Sequence, residues 1–140
     1  DIFAKNIFKG NVILFYGEIG VGKTTFIRSL VNSLEKIDKK NISEITSPTF
    51  SLMNQYKLNK FDIHHYDLYR LKSEKDILSL NIFEDISDKI VLIEWPEILG
   101  EHKPKNTIDI NFEYGENFNS RYLTISAYEK LKIFDEFKSL

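Results

Sequence analysis

Residues 17 to 25, GEIGVGKTT, contain the side chains most suited to chemistry. Gly17 is followed by four residues and then by Gly22, Lys23 and Thr24, which is the spacing of a phosphate-binding loop. Its glycines permit positive-φ backbone, so that loop N–H groups can come close to a triphosphate. Lys23 would supply a mobile charge for the β and γ phosphates, and the Thr24 hydroxyl is placed to ligate a bridging Mg²⁺. A glycine-rich turn that matches by chance is the alternative.

Two carboxylates at the ends of other predicted strands are candidates to face this loop. Asp67 follows the run IHHY, and the two-residue period of a strand places it on one face with His65 and away from His64. Glu94 ends the apolar run KIVLI. An acid at a strand end beside a phosphate loop can hold Mg²⁺ or orient an attacking water, whereas the alternative for Glu94 is a solvated surface acid. For both histidines we favour a structural role, since HHxD offers no third metal ligand.

The loop requires a strand before it and a helix after it. Val12 to Tyr16 is a short apolar run typical of a buried strand, and apolar residues at helical intervals then predict a helix to about Lys36. Upstream, IFAKNIF predicts the end of a helix that stops at Gly10. Strand, loop and helix therefore follow one another in the order that the motif requires.

A β-hairpin is predicted in the middle of the chain. Alternating residues favour a strand from about Ser51 to Leu58, and a tight turn at Asn59 and Lys60 leads to the strand that carries Asp67. Residues 59–62 spell NKFD, a pattern with which GTPases read guanine. We interpret it as the hairpin turn, because it lies between two strands and no DxxG sequence separates it from the phosphate loop.

The remaining segments predict a sheet covered by helices. Ser73 is a candidate N-cap for one or two short helices. The apolar strand from Ile90 to Ile93 is predicted to end before Pro96. Residues 98–106 are predicted to be a polar loop. Alternating patterns predict a second hairpin from Thr107 to Tyr114 and from Arg121 onward, and residues 128–140 predict a closing helix.

Length and composition limit the function classes. A chain of 140 residues corresponds to one domain, which we expect to include residues upstream of Asp1. A net charge of −2 provides no basic field for nonspecific nucleic-acid binding. The absence of cysteine excludes disulfides and thiolate metal sites and fits a cytoplasmic location, and no apolar run is long enough to predict a membrane span.

Four stretches together resemble one protein family. They are the loop GEIGVGKTTF, SPTF at residues 47–50, HYDLYR at 65–70 and IEWPE at 93–97, in this order. The chain resembles the TsaE (YjeE-type) ATPases over nearly its whole length. The resemblance implies an α/β fold of the P-loop NTPase kind, with three layers, a mixed and largely parallel central sheet, antiparallel hairpins and a C-terminal helix.

The resemblance also implies a function in tRNA modification. It implies an ATPase that uses ATP and Mg²⁺ and is required for threonylcarbamoyladenosine at the adenosine next to the anticodon. The implied partners are the transferase subunits TsaD and TsaB, with tRNA contacted through that complex and no membrane. Family members carry an N-terminal segment whose threonine lies near the adenine, and this sequence starts beyond that point.

Roles for individual residues follow from the same resemblance. Thr24 and Glu94 would hold Mg²⁺, Asp67 would be a second essential acid, and residues 47–49 would form a switch-like loop facing the γ-phosphate. Trp95 would lie near the nucleotide or a partner. The implied nucleotide-binding set is Glu18, Ile19, Gly20, Val21, Gly22, Lys23, Thr24, Thr25 and, as a weaker candidate, Arg121.

The expected reaction is attack of water on the γ-phosphate, with Lys23 stabilising charge and either Glu94 or Asp67 orienting the water. Arg70 is either a phosphate-side cation or a surface charge. Because the sequence indicates no other arginine that could stabilise the transferred phosphate, slow turnover without a partner is expected. Two alternatives remain, a small-molecule kinase and a module that docks with bound nucleotide without turnover. Scarce, dispersed arginines disfavour the kinase, which would need an arginine-rich lid.

Overall fold

The computed structural model of the protein describes residues 1–127, which build a six-stranded sheet between helices. The strand order is β2-β3-β4-β1-β5-β6. The inner strands β3, β4, β1 and β5 are parallel to one another, and β2 and β6 are antiparallel at the two edges. The strands are β1 (Val12–Tyr16), β2 (Met53–Lys57), β3 (Asp62–Asp67), β4 (Lys89–Glu94), β5 (Thr107–Tyr114) and β6 (Arg121–Ala127).

The apolar runs form the centre of the sheet. β1 lies between β4 and β5, with Leu14 beside Ile93 and Phe15 beside Glu94 in the β1–β4 pair. Every residue of β4 is buried, since helices cover both faces of a parallel sheet. The carboxyl ends of β1, β3 and β4 consequently lie at one edge of the sheet, where Asp67 pairs with Glu94.

Helices on the two faces separate the core into two clusters. On one face, α1 (Ile2–Lys5) and α2 (Lys23–Ile37) cover a cluster that includes Phe15, Ile27 and Ile110. On the other face, α3 (Glu74–Ser79) and short 3₁₀ segments cover a cluster that includes Leu14 and Ile93. The predicted α/β fold with three layers and a largely parallel central sheet is confirmed.

Each antiparallel edge strand belongs to a predicted hairpin. In the β2–β3 hairpin, Met53 pairs with Tyr66 and Lys57 with Asp62, and Asn59 and Lys60 form the turn. This turn lies at the start of the parallel strands, whereas the glycine-rich loop follows the end of β1. The NKFD sequence is thus a hairpin turn. It lies where the parallel strands begin, and the glycine-rich loop lies where they end.

Two predictions of local structure were wrong. The first helix ends at Lys5 instead of Gly10, because Asn6 leaves the helical region with φ −111° and its N–H bonds to Phe3 O. Residues 98–106 are not simply a polar loop, since Pro96–His102 form 3₁₀ structure with a kink at Gly100. Leu99 is buried there, so that a contact with the core organises a segment whose composition is polar.

Ser73 caps α3 as predicted, accepting a bond from the N–H of Asp76. The predicted C-terminal helix, residues 128–140, lies outside the described residues. Among residues 1–127, no helix has the length and apolar character needed to cross a membrane.

Candidate functional site

A cavity of about 320 Å³ lies at the carboxyl ends of the parallel strands, beside the glycine-rich loop. The loop and the first turn of α2 form one wall, and the ends of β3 and β4 form another. Residues from the 47–49 segment complete it. The lining residues are Ile19, Gly20, Gly22, Lys23, Thr24, Thr25, Ser47, Thr49, Asp67, Tyr69, Glu94 and Trp95.

Glycine is required at two positions of the loop for different reasons. Gly22 has φ +117° immediately before the first residue of α2, a conformation that other residues rarely adopt. Gly17 has φ +139°, and a Cβ added there would lie 2.8 Å from the carbonyl oxygen of Phe112. The start of the loop therefore packs directly on the backbone of β5, and this close approach fixes where the chain leaves β1.

Lys23 is held inside its own loop. Its side chain is 4 % exposed, and its ammonium donates to the carbonyl of Gly17 and lies 3.5 Å from the ring centroid of Trp95. Burial lowers the pKa of Lys23, and the nearby carboxylates of Glu94, Glu97 and Asp67 oppose that shift. A buried cation bound by a carbonyl and a ring is suited to exchange these contacts for a phosphate.

Glu94 joins α2 to β3. One carboxylate oxygen, Oε1, accepts the Thr24 hydroxyl at 3.0 Å, and the other, Oε2, lies 2.8 Å from Nε2 of His65. Glu94 is 3 % exposed and His65 is completely buried. The acid and the hydroxyl that the sequence predicts as metal ligands are thus in direct contact.

Asp67 anchors the segment 47–49. Its Oδ2 accepts the Thr49 hydroxyl at 2.9 Å and the Ser47 hydroxyl at 3.2 Å, and its Oδ1 accepts the Tyr69 N–H at 3.0 Å. Ser47 and Thr49 are also 2.9 Å apart through their hydroxyl oxygens. Both oxygens of Asp67 are therefore occupied, and the segment is held against the end of β3.

Arg121 belongs to a second cavity of about 740 Å³ that shares Gly20, Gly22 and Thr25 with the first. Its Nε donates to the carbonyl of Val21 at 3.1 Å, and its guanidinium lies 4.3 Å from the ring centroid of Tyr114. The first residue of β6 thus braces the glycine-rich loop from the side opposite to Glu94.

Other predicted site residues do not line the first cavity. Glu18 is exposed, and Val21 is buried and donates its N–H to the Glu18 carbonyl. Arg70 stacks on the exposed ring of Phe50, with 4.2 Å from its guanidinium carbon to the ring centroid. Of the two histidines, only His65 contacts a site residue.

The donor set matches the preferences of Mg²⁺. The hydroxyl of Thr24 and the carboxylate of Glu94 are hard oxygen ligands. Within residues 1–127 there is no group of three or more acidic, histidine or cysteine residues that could hold a metal alone. Mg²⁺ is usually bound by one or two carboxylates together with substrate phosphates, so this set suits an ion that enters with a nucleotide.

Two contacts of the site were not predicted. The bond of His65 to Glu94 depends on β3 being adjacent to β4, and the only sequence signal was the period that placed His65 on the face of Asp67. The stacking of Lys23 on Trp95 depends on the backbone of Trp95, which has φ +57° where β4 gives way to the 3₁₀ segment.

Comparisons with known proteins show which family the sequence matches. A sequence model of one family, described as "Threonylcarbamoyl adenosine biosynthesis protein TsaE", matches residues 1–123. The chain is 37 % identical over 124 residues to "tRNA threonylcarbamoyladenosine biosynthesis protein TsaE" of Rickettsia prowazekii, covering 89 % of this chain and 83 % of the relative. It is 36 % identical over 133 residues to the protein of the same name from Nostoc sp., covering 91 % and 76 %.

A solved structure has a similar fold. The crystal structure of Bacillus subtilus YdiB superposes with a TM-score of 0.71 and 19 % sequence identity. The match covers 99 % of this chain and 82 % of that chain. At this level of identity the likeness shows a common fold.

Proposed function

The chain belongs to the TsaE family, and from this premise we propose that it binds and hydrolyses ATP in the biosynthesis of threonylcarbamoyladenosine on tRNA. The observation that carries the proposal is the convergence of Lys23, Thr24, Asp67 and Glu94 on one cavity beside the glycine-rich loop. Phosphoryl transfer requires positioning and charge stabilisation, and these four groups supply both.

The triphosphate would lie along the loop, where the backbone N–H groups of the cavity-lining residues Gly20, Gly22 and Lys23 can reach its oxygens. Lys23 exchanges the Gly17 carbonyl and the Trp95 ring for the β and γ phosphates. Because the ammonium is buried, its attraction to a phosphate is weakly screened by water. The helix dipole at the start of α2 adds positive potential at the same place.

Thr24 and Glu94 would hold the Mg²⁺ that accompanies the nucleotide, since their oxygens already meet at the cavity wall. The ion, when bound, supplies positive charge to the phosphate oxygens. Asp67 holds the hydroxyls of Ser47 and Thr49 at the cavity wall, where they would face the γ-phosphate end of the substrate. A water attacks the γ-phosphorus in line with the leaving ADP, and Asp67 or Glu94 orients it.

The ribose and base extend toward the second cavity, which is continuous with the loop through Gly20, Gly22 and Thr25. Arg121 lies at its wall and donates a hydrogen bond to the Val21 carbonyl of the loop. The NKFD turn lies at the start of the parallel strands, opposite to the loop, and so it cannot read a base bound beside the loop. ATP is therefore the proposed nucleotide.

Hydrolysis by the chain alone is expected to be slow. The sequence has three arginines, and none of them lines the first cavity in the part of the chain that the structure describes. An arginine that a partner supplies to a phosphate loop accelerates turnover by roughly 10³ to 10⁵. We propose that the transferase subunits TsaD and TsaB stimulate this reaction, with tRNA bound through them.

The test is phosphate release from ATP and from GTP, measured for the chain alone and with TsaD, TsaB and tRNA. We expect slow release from ATP, weaker release from GTP and a rise when the subunits are added. Release that stays at background with every combination would reject the hydrolytic function.

A docking module that binds ATP without turnover is the second candidate, and the absence of an arginine from the described cavity wall favours it. Under that function, Mg-ATP at a hundredfold excess over Kd would still stabilise the fold by about 2.7 kcal/mol. Stabilisation without phosphate release in the presence of TsaD and TsaB would identify this alternative.

A further inference from the structure

We propose that His65 is a positioning residue for Glu94. Its imidazole holds one carboxylate oxygen of Glu94, so that the other oxygen stays directed at Thr24 and at the metal that accompanies the nucleotide. The inference rests on the proposed function, because it takes Glu94 and Thr24 as the groups that face that metal.

The contact is fixed by the sheet. β3 and β4 are parallel neighbours, with His65 beside Leu92 and Asp67 beside Glu94. His65 therefore lies one pleat before Asp67 on the same face, and its ring reaches diagonally across to Glu94. The imidazole is completely buried and its Nε2 lies 2.8 Å from Oε2, so the bond reaches Glu94 from the protein interior.

The hydrogen-bond roles are set by the carboxylate. An ionised Glu94 only accepts, so Nε2 of His65 carries the proton of this bond. The other ring nitrogen, Nδ1, is buried without a hydrogen-bond partner among the described residues. An apolar side chain would fill the same space without leaving a polar atom unpaired, and so the imidazole contributes the bond to Glu94.

The bond removes an alternative partner for Glu94. Glu94 and the buried ammonium of Lys23 lie in the wall of the same cavity. Without His65 the carboxylate can rotate toward that ammonium, away from Thr24. A direct pair would withdraw the acid from the metal and the cation from the phosphates. Mutation of a group that orients a metal ligand typically lowers metal affinity or activity by roughly 10- to 100-fold.

The test measures how strongly Mg²⁺ tightens ATP binding, which requires no turnover. Emission of Trp95 against ATP concentration, at a series of Mg²⁺ concentrations, would be recorded for His65→Leu, His65→Gln and wild type. His64→Leu is the matched control, since it removes the neighbouring imidazole on the other face of β3. We expect His65→Leu to need about 10- to 100-fold more Mg²⁺, with ATP binding in EDTA little changed.

His65→Gln is the conservative variant, because its amide nitrogen reaches about as far as Nε2 and can donate. It should restore most of the Mg²⁺ response, and His64→Leu should match wild type. A purely structural role would instead lower the melting temperature and weaken ATP binding with and without Mg²⁺. Equal Mg²⁺ requirements for His65→Leu, His65→Gln and wild type would overturn the proposal.

If His65→Leu does not fold, His65→Asn against His65→Gln decides the question. The shorter amide cannot reach Glu94, so Asn should require more Mg²⁺ than Gln, and equal requirements would reject the role of His65. A wild-type protein that shows this Mg²⁺ response without releasing phosphate would reject hydrolysis alone. ATP binding by wild type that ignores Mg²⁺ would reject both assignments.

Discussion

Asp67 and Glu94 are buried acids on adjacent strand ends, yet their hydrogen bonds give them different tasks. Glu94 connects Thr24 with His65, and so it is tied to the helix that follows the loop. Asp67 connects the segment 47–49 with the end of its own strand. We therefore expect loss of Glu94 to affect the metal, and loss of Asp67 to affect the order of that segment.

Lys23→Ala should lower ATP turnover by on the order of 10² or more, because a preorganised charge next to the transferred phosphoryl group is lost. The measurement is phosphate release with the transferase subunits present. Lys36→Ala is the control, since Lys36 is exposed in the last turn of the same helix. Wild-type turnover in Lys23→Ala would show that the loop is not the site.

Trp95 should report nucleotide binding directly. It is the one tryptophan in the sequence, and the Lys23 ammonium lies 3.5 Å from its ring centroid. When Lys23 moves to the phosphates the cation leaves the ring, so the emission should change as ATP is added. In Lys23→Ala this ATP-dependent change should be largely lost. An unchanged wild-type emission while equilibrium dialysis detects bound ATP would contradict this geometry.

At the scale of elements, the loop is positioned by packing against β5 as well as by its own glycines. Gly17→Ala should destabilise the fold, because a positive φ costs about 1–3 kcal/mol and overpacking against Phe112 adds about 1–3 kcal/mol. The measurement is urea unfolding followed by circular dichroism. ATP binding should weaken in parallel, since the loop would shift away from the strand.

Gly10→Ala is the matched control for that substitution. Gly10 also has a positive φ, +94°, but a Cβ there meets no atom within 4 Å. It should therefore cost only the backbone strain of about 1–3 kcal/mol and leave ATP binding unchanged. Equal losses of stability in the two variants would mean that the approach of Phe112 contributes nothing.

Most elements could be predicted because their signals are local. Val12 to Tyr16 and Ile90 to Ile93 are unbroken apolar runs, and the phosphate-loop spacing fixes the start of α2. The 3₁₀ structure of Pro96–His102 could not be predicted, because the burial of Leu99 depends on elements distant in sequence. The first helix was predicted too long, since apolar residues continue beyond Asn6 while the backbone turns.

The candidate site was predictable to the extent that strand ends meet in a parallel sheet. Lys23, Thr24, Asp67 and Glu94 each follow from a motif or a strand end, and the fold brings them to one cavity. Which hydroxyl or ring each acid contacts depends on strand order and register. Local patterns do not encode those properties, and the contact of His65 was missed for this reason.

At the scale of the whole molecule, acid should reduce stability partly through His64. Burial and nearby Lys89 lower the pKa of His64, while Asp62 opposes the shift. The unfolded chain then binds more protons, so the free energy of unfolding decreases as the pH falls below about 6.5, until the folded-state pKa is passed. His64→Gln should flatten this dependence in urea unfolding between about pH 5 and 7.5. An identical pH dependence would contradict it.

The β2–β3 turn lies far from the cavity, where the parallel strands begin, and its residue Lys60 is exposed. Because the sequence contains no cysteine, Lys60→Cys would create a single thiol at that remote corner. A dye coupled there, or a tether to a sensor surface, would leave the mouth of the nucleotide pocket open. Encounters with the proposed partner subunits could then be timed without disturbing the residues of the cavity.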